Sequence, residues 1–598
     1  MTKLLSDLYS VLTSQQRLKL FRLQFLVILM AFAEVIGVAS IGPFLSLASN
    51  TKQLNDDNYF SYLFNALEIS TVDDFIFLAG IGVLILLTMA TIISTITVRF
   101  LLKYAQELGA TFSSSLYEHY MNKSWMFHAS GNSSQLMSNT SIECARVTQG
   151  IIYPVMIMNA KIVLAICIII FLITMNPVVS IAGFLIFSSI YSLIFVYVKK
   201  RLTLNGLAVT HAQRARFRLM NEGFGGIKDV MLLGRSATFI DQYRSACNKY
   251  GYATGWNATL NEVPKFWVEL IAFGAMVSLI LFLLVTNNGS MNSILPQLGI
   301  YAMASYKLLP AFQQVYGNLT HVRGTAPALN SIRADLLDWK AWKSNQKTEK
   351  QSKVSFCEQI TFKNVSFQYP SKNELVLKNI NFNIPAKSVV GLVGPSGAGK
   401  STIVDLVLGL IMPTKGSVLI DGLTLDKSSL RSWQDCVGYV PQSIFLSDNT
   451  IAANVALGIP DKEININKVK EAIKLADLDT FVDSLPNGLN EMVGEMGVQL
   501  SGGQRQRIAI ARSLYNEPSV LVFDEATSAL DGITEKVIME AIYKLSSHKT
   551  IILIAHRLST VKKCDQIFYF EDGGLIDSGT FDTMKKSNKK FKEMSEHS

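Results

Sequence analysis

Charge is scarce in this chain. Asp, Glu, Lys and Arg make up 17% of its 598 residues, where an ordinary soluble protein carries about a quarter. That shortage excludes a fully solvated surface over the whole length, and the mean hydropathy is positive at +0.28. The six cysteines (Cys144, Cys167, Cys247, Cys357, Cys436, Cys564) show no paired spacing. Neither a zinc motif nor a redox motif can be read from them, and reduced thiols are expected. No cleavable signal peptide is legible, because a polar, basic segment precedes the first apolar stretch without a small-residue cleavage site. A net charge of +9 raises the question of nucleic acid. Its placement beside apolar runs instead fits basic loops against anionic membrane lipids, and no nucleic-acid partner is expected.

What the chain has in abundance is apolar sequence before residue 320. Crossing a bilayer as helix takes about 20 apolar residues. Six segments qualify: Leu23–Leu47, Phe75–Leu102, Ile151–Thr174, Val178–Val198, Phe266–Thr286 and Ile294–Tyr316, the last containing Lys307 and Pro310. Lys and Arg crowd the stretch before the first span (Arg17, Lys19, Arg22) and the stretch between the fourth and fifth. The opposite loops nearly lack them, so both termini are expected in the cytosol. The two long cytosolic stretches read as helical continuations of the spans. Their tips, near Ser124–Ser133 and Glu222–Leu233, are suited to touch a cytosolic domain. In the first external loop, Tyr59, Phe60, Leu63, Phe64 and Leu67 share one side at helical spacing, consistent with a short surface helix or a packed loop. Residues 1–335 thus form an expected membrane domain. The lysine-rich 336–355 reads as a linker or helical extension, and 356–598 alternates strands and helices as an α/β domain.

Within that domain, the apolar run Val389–Val393 feeds Gly394, Pro395, Ser396, Gly397, Ala398, Gly399, Lys400 and Ser401, followed by a helix from Thr402. This is a complete phosphate-binding loop in its strand–loop–helix setting. Its glycines let backbone N–H groups converge on phosphates at a helix N-terminus. Lys400 is expected to reach the β- and γ-phosphates of ATP and Ser401 to ligate Mg2+. A second apolar strand, Val520–Asp524, ends in a carboxylate expected to hold Mg2+ through water. Glu525 follows, suited to orient or deprotonate an attacking water.

Leu500-Ser501-Gly502-Gly503-Gln504 is similar to the signature of ATP-binding cassette (ABC) proteins, and the remaining family pattern is present. By that resemblance Tyr369 stacks on adenine. Gln442 contacts the catalytic metal and links the nucleotide site to the membrane domain. Asp531 lies in the loop between paired sites, and His556 contacts the γ-phosphate. One departure is Gly494-Glu495-Met496-Gly497, where exporters often carry Gly-Glu-Arg-Gly. The whole chain resembles the half-transporter form of ABC exporters: six transmembrane helices plus a cytosolic α/β P-loop ATPase domain. The resemblance implies a homodimer, each ATP lying between Lys400 of one copy and Ser501 and Gly503 of the other.

Substrate clues are sparser. Ionisable groups in a span are costly and commonly functional; Glu34, Lys161, Glu269 and Lys307 are the candidates. Lys161 with Lys307 would suit a pyrophosphate or phosphate headgroup, while a Glu–Lys pair between helices is the structural alternative. The N-terminal region, the short aromatic external helix, Glu222–Gly234 and Tyr306–Pro310 together resemble bacterial lipid-linked oligosaccharide flippases of the PglK type. That implies transfer of a polyprenyl-pyrophosphate-linked sugar across a bacterial inner (cytoplasmic) membrane. Export of lipid A or an amphipathic drug uses the same architecture, and a non-transport ABC ATPase or regulator is the alternative from another class.

Overall fold

The computed structural model describes residues 2–49, 62, 64, 71–131, 133–175, 177–286, 291–345, 355–370, 373–494, 497–525, 532–555 and 557–596. They form two compact units, one of residues 1–123 and 131–346, the other of 124–130 and 347–598.

The first unit is helical, as hydrocarbon demands: with no water to satisfy them, backbone N–H and C=O groups must pair within the segment. In order come α1 (Thr2–Val11), α2 (Ser14–Ala39), α3 (Ile41–Ser49) and α4 (Val72–Met121). After α5 (Trp125–Ser130), which belongs to the second unit, come α6 (Ser133–Ser138), α7 (Tyr153–Met175), α8 (Pro177–Gly225), α9 (Ser236–Thr286) and α10 (Met291–Asn345). Among the described residues four helical stretches are long and apolar enough to cross a membrane: Ser14–Ala48, Val72–Met121, Ser133–Met175 and Ser180–Gly225. The fifth and sixth expected spans fall inside α9 and α10. The 50 residues of α4 reach about 75 Å, well beyond a hydrocarbon core of about 30 Å. The spans therefore continue as helices outside the bilayer. The expected surface helix at Asp57–Leu67 lies, apart from Tyr62 and Phe64, outside the described residues.

Local chemistry sets the helix starts. Thr13 caps α2 reciprocally with Gln16, each accepting the other's backbone N–H (2.8 and 3.4 Å). Thr71 caps α4 on Asp74 N–H at 3.2 Å. Between α6 and α7 the helix is wound wider twice, as π-turns at Asn139–Glu143 and Thr148–Ile152 around Cys144–Val147. The buried Glu143 accepts from Arg146 at 2.8 and 3.0 Å, and Arg146 also donates to Thr210 of α8 at 2.9 Å. Helices α8 and α10 approach closely at two glycines; a Cβ on Gly206 would sit 2.1 Å from the Gly324 carbonyl oxygen.

Residues 336–345 continue α10 as helix. Trp339 donates to Glu118 of α4 at 2.9 Å, and Lys340 donates to the carbonyls of Ser10 and Leu12 at 2.8 and 2.9 Å. Arg333 pairs with Asp7 at 2.9 Å.

Inside the spans, Lys307 of α10 meets the buried Glu34 of α2 at 3.1 Å. Ser94 of α4 donates to the other Glu34 oxygen at 2.8 Å. Of the two arrangements open from sequence, Lys307 thus takes the interhelical pair. Glu269 accepts from Gln313 at 3.0 Å.

In the second unit a six-stranded sheet runs β10-β9-β3-β8-β7-β6 and a four-stranded sheet β2-β1-β4-β5. The strands are β1 (Gln359–Phe367), β2 (Leu377–Pro385), β3 (Val389–Val393), β4 (Lys415–Ile420), β5 (Leu423–Thr424), β6 (Val437–Val440), β7 (Val520–Asp524), β8 (Thr550–Ile554), β9 (Gln566–Glu571) and β10 (Gly574–Gly579). The central strands pair in parallel and are buried on both faces, hence their unbroken apolar runs. Met126 of α5 packs against the cluster formed by β1, β2 and one face of the large sheet.

Removing Lys307 strands a carboxylate within the bundle. Lys307→Met should lower stability by roughly 1–2 kcal/mol, less than for a fully buried pair because the ammonium is partly exposed. Glu34→Gln/Lys307→Met should recover most of the loss, as measured by thermal unfolding of the detergent-purified chain.

Candidate active site

The buried strand β3 points its C-terminal end into the phosphate loop, and helix α11 (Lys400–Val407) starts at the loop's end. Gly399 sits at φ 96°, and a Cβ there would lie 2.6 Å from a Leu377 methyl. Only glycine meets both demands. The Lys400 ammonium donates to the carbonyls of Gly394 (2.7 Å) and Pro395 (2.9 Å), so the loop curls round its own cation. Burial pushes the Lys400 pKa down, opposed by the charges of Glu525 and Asp524. Tyr369, just past β1, brings its hydroxyl within 3.2 Å of Thr402 Oγ1, while its ring stands edge-on to Phe367. Tyr369 thus borders the phosphate loop. Pro395, Ser396, Gly397 and Ser401 are exposed, and Ala398 is buried.

Asp524 ends β7 beside the loop, where the Tyr439 hydroxyl donates to it at 3.3 Å. Glu525 takes a left-handed backbone (φ 48°), strained for a residue with a Cβ. Its N–H donates to Ile554 of β8 at 3.2 Å, and its carboxylate accepts from Gln442 Nε2 at 2.6 Å. Lys400, Asp524, Glu525 and Gln442 therefore converge at the C-terminal edge of the parallel sheet, where α/β folds place ligands. This oxygen-rich set (Ser401, Gln442 and Asp524 beside Glu525) fits a hard divalent cation such as Mg2+.

Ser501 lies elsewhere. It caps α14 (Gly502–Leu514; between α11 and it lie, among other short helices, α12, Ile451–Val455, and α13, Ile466–Leu475) in a reciprocal box with Gln504, at 3.2 and 2.8 Å. Arg512 ties α14 to the carbonyls of Asn454 and Phe445, both at 2.8 Å. The alternating side chains of the central strands divide the two helices. Val390, Leu392, Val522 and Ile552 join the cluster that holds α11, whereas Val389, Leu521, Phe523 and Ile551 join the cluster that holds α14. The phosphate loop and the signature thus occupy opposite faces of one sheet, and a single chain does not close them on one nucleotide. Ser501 and Gly502 are exposed. His556, Asp531 and Glu495 lie outside the described residues.

Two contributors escaped sequence inspection. Tyr439 carries a strand-period signal in Val437–Val440 but no motif. Asp405, on α11, has its carboxyl pushed up to about 6 by burial and by the charge of Asp524.

Residues 377–528 match the ABC transporter family model and residues 23–301 that of the ABC transporter transmembrane region. The chain belongs to the ABC transporters. Its ATPase domain is of the kind that binds ATP, and its membrane domain makes it a multi-pass membrane protein. It is 30% identical to the heterocyst differentiation ATP-binding protein HepA of Nostoc sp., over 66% of this chain and 63% of that protein. With an ATP-dependent lipid A-core flippase of Ralstonia nicotianae it shares 40% identity over 37% of this chain and 38% of the relative. The chain spans less than two thirds of the length of these relatives. A bacterial Atm1-family ABC exporter solved with ATP bound superposes with a TM-score of 0.78 at 22% identity, over 97% of this chain and 98% of that one. The ABC transporter shares that exporter's fold nearly end to end.

A carboxyl raised in the folded state costs stability as pH climbs from its unfolded value of about 3.9 through 6. Asp405→Asn should therefore raise the melting temperature without nucleotide and Mg2+ by about 2–4 °C. The full gain should appear above about pH 6 and vanish below about pH 4, read by thermal unfolding across that range.

Proposed function

We propose that the chain is a homodimeric, ATP-driven flippase. It would carry a lipid-linked oligosaccharide from the cytosolic to the external leaflet of a bacterial inner membrane, with the ATPase domain in the cytosol. The observation that carries the lipid class is a cavity of about 500 Å³ among α7, α8, α9 and α10. Its wall is apolar and aromatic, with Phe184, Phe187 and Phe312 among its members, as suits a hydrocarbon chain. Dimerisation is supported by the opposite-face placement of Lys400 and Ser501. The tip Glu222–Leu233 points the same way: Phe224 and Leu232 are 75% and 82% exposed, an apolar surface that a second copy would cover.

In this scheme Tyr369 stacks on adenine and the loop from Gly394 to Thr402 cradles the phosphates with Lys400. Ser401, Gln442 and Asp524 hold Mg2+, and Ser501, Gly502, Gly503 and Gln504 of the second copy close over the γ-phosphate, with Asp531 between the sites. Glu525, oriented by Gln442, activates water, and His556 steadies the γ-phosphate. ATP favours the closed dimer only by binding it more tightly than the open one, and hydrolysis releases that bias. With Lys307 engaged by Glu34, Lys161 remains for a phosphate group; it makes no ion pair among the described residues. Transport of lipid A is a second reading, favoured by the 40% identity to a lipid A-core flippase.

The test is ATP-driven flipping of a fluorescent lipid-linked oligosaccharide in proteoliposomes. Glu525→Gln should retain ATP binding while hydrolysis and flipping fall by at least about 100-fold. Lys161→Gln should slow flipping of the pyrophosphate lipid more than ATP hydrolysis. Hydrolysis by the wild type with no movement of this lipid would remove the oligosaccharide assignment and bring lipid A forward.

A further inference from the structure

Two cavities bordered by polar side chains follow the apolar one along α9 and α10 toward the cytosolic ends of these helices. One, of about 280 Å³, is bordered by Tyr191, Gln313, Gln314 and Asn318; the other, of about 200 Å³, by Asn257, Thr254 and His321. Asn261 borders both, its carbonyl accepting from Thr320 at 2.7 Å. An aromatic partition separates this polar groove from the apolar cavity: the Tyr191 ring stacks on Phe312 at 6.5 Å and tilts against Tyr316 at 5.2 Å.

The groove's charges are already matched. Arg146 is engaged by the buried Glu143, and Lys265 pairs with Glu262 at 2.7 Å. Burial holds the His321 pKa down, so its ring is neutral near pH 7. What the groove offers is uncharged hydrogen bonding. The side chains of Gln314 and Asn318 make no hydrogen bond among the described residues. The Tyr191 hydroxyl, in a residue only 8% exposed, has no partner there either. A buried hydroxyl without a partner is a costly arrangement that a bound polar group relieves. Amides that both donate and accept, set beside aromatic faces, match the hydroxyl-rich edge and apolar face of a sugar ring.

We infer that the α9/α10 face holds an amphiphile with an uncharged sugar head in the amide-lined groove and its hydrocarbon chain beyond the Tyr191–Phe312 partition, in the apolar cavity. The assignment rests on the lipid-transport reading above and adds which part of the lipid each segment recognises.

The test uses the full-length protein in lipid nanodiscs and two photoreactive dodecyl maltosides, with a diazirine on the sugar or at the chain end. Peptide mapping should find the sugar probe on residues 254–265 and 313–321 and the chain probe on 169–187 and 301–312. Tyr191→Phe removes one oxygen without changing the ring. It should raise the half-saturating maltoside concentration about three- to tenfold while leaving labelling by a diazirine dodecylphosphocholine unchanged. The inference is overturned if the sugar probe labels elsewhere, if chain-probe labelling is absent because a second copy fills the cavity, or if Tyr191→Phe matches the wild type for both head groups. Wild-type flipping of lipid-linked oligosaccharide with the maltosides labelling elsewhere removes this groove and keeps the flippase. Groove labelling without flipping of that lipid removes the oligosaccharide assignment and keeps the groove.

Discussion

A bilayer gives the backbone nothing to hydrogen-bond, and that constraint governs the first half of the molecule. It forces each crossing to be a helix, and helix-forming sequence on the water side carries the helices on. Hence α4, α8, α9 and α10 run as rods of 49 to 55 residues. The same medium makes an unmatched charge costly, and Glu34 and Lys307 find each other across 273 residues of sequence.

The second unit obeys a different rule, the period of two along a strand. Because consecutive side chains of β3, β7 and β8 face opposite ways, one sheet supports two helices with separate duties. Helix α11 sets Lys400 at the end of the phosphate-binding loop, and α14 presents Ser501 outward. The parallel sheet also aligns the ends of β3 and β7 on either side of β8, so the phosphate loop meets Asp524 and Glu525 although more than a hundred residues of sequence separate them.

What was legible in the sequence is what local spacing encodes. The glycines of the phosphate loop, the Ser501–Gln504 capping pattern and the apolar runs of β3 and β7 each state their geometry within a few residues. The apolar stretches, and the helices that carry them well beyond the thickness of a hydrocarbon core, were legible from hydropathy and length. What stayed hidden depends on distant partners. Nothing near Lys307 marks Glu34 as its counter-ion, and nothing near Asp405 says that Asp524 will stand against it. The aromatic partition of Tyr191, Phe312 and Tyr316 joins two helices whose sequences show only ordinary apolar character. The 336–345 segment looked polar and lysine-rich; Lys340 and Trp339 find their acceptors on α1 and α4, and so the helix continues.

The two π-turns between α6 and α7 have a geometric consequence for these rods. Each accommodates one residue more than an α-turn, and a surplus residue offsets everything beyond it by about 100° and about 1.5 Å. Two of them, only a few residues apart, rotate the cytosolic segment Ser133–Ser138 by more than half a revolution against the membrane face of α7. The residues that one end presents to a given side are thereby offset by a fixed angle from those of the other. The angular position at which the cytosolic segment meets α8 can be reset by gaining or losing a single residue there, with the lipid-facing surface of the span left untouched.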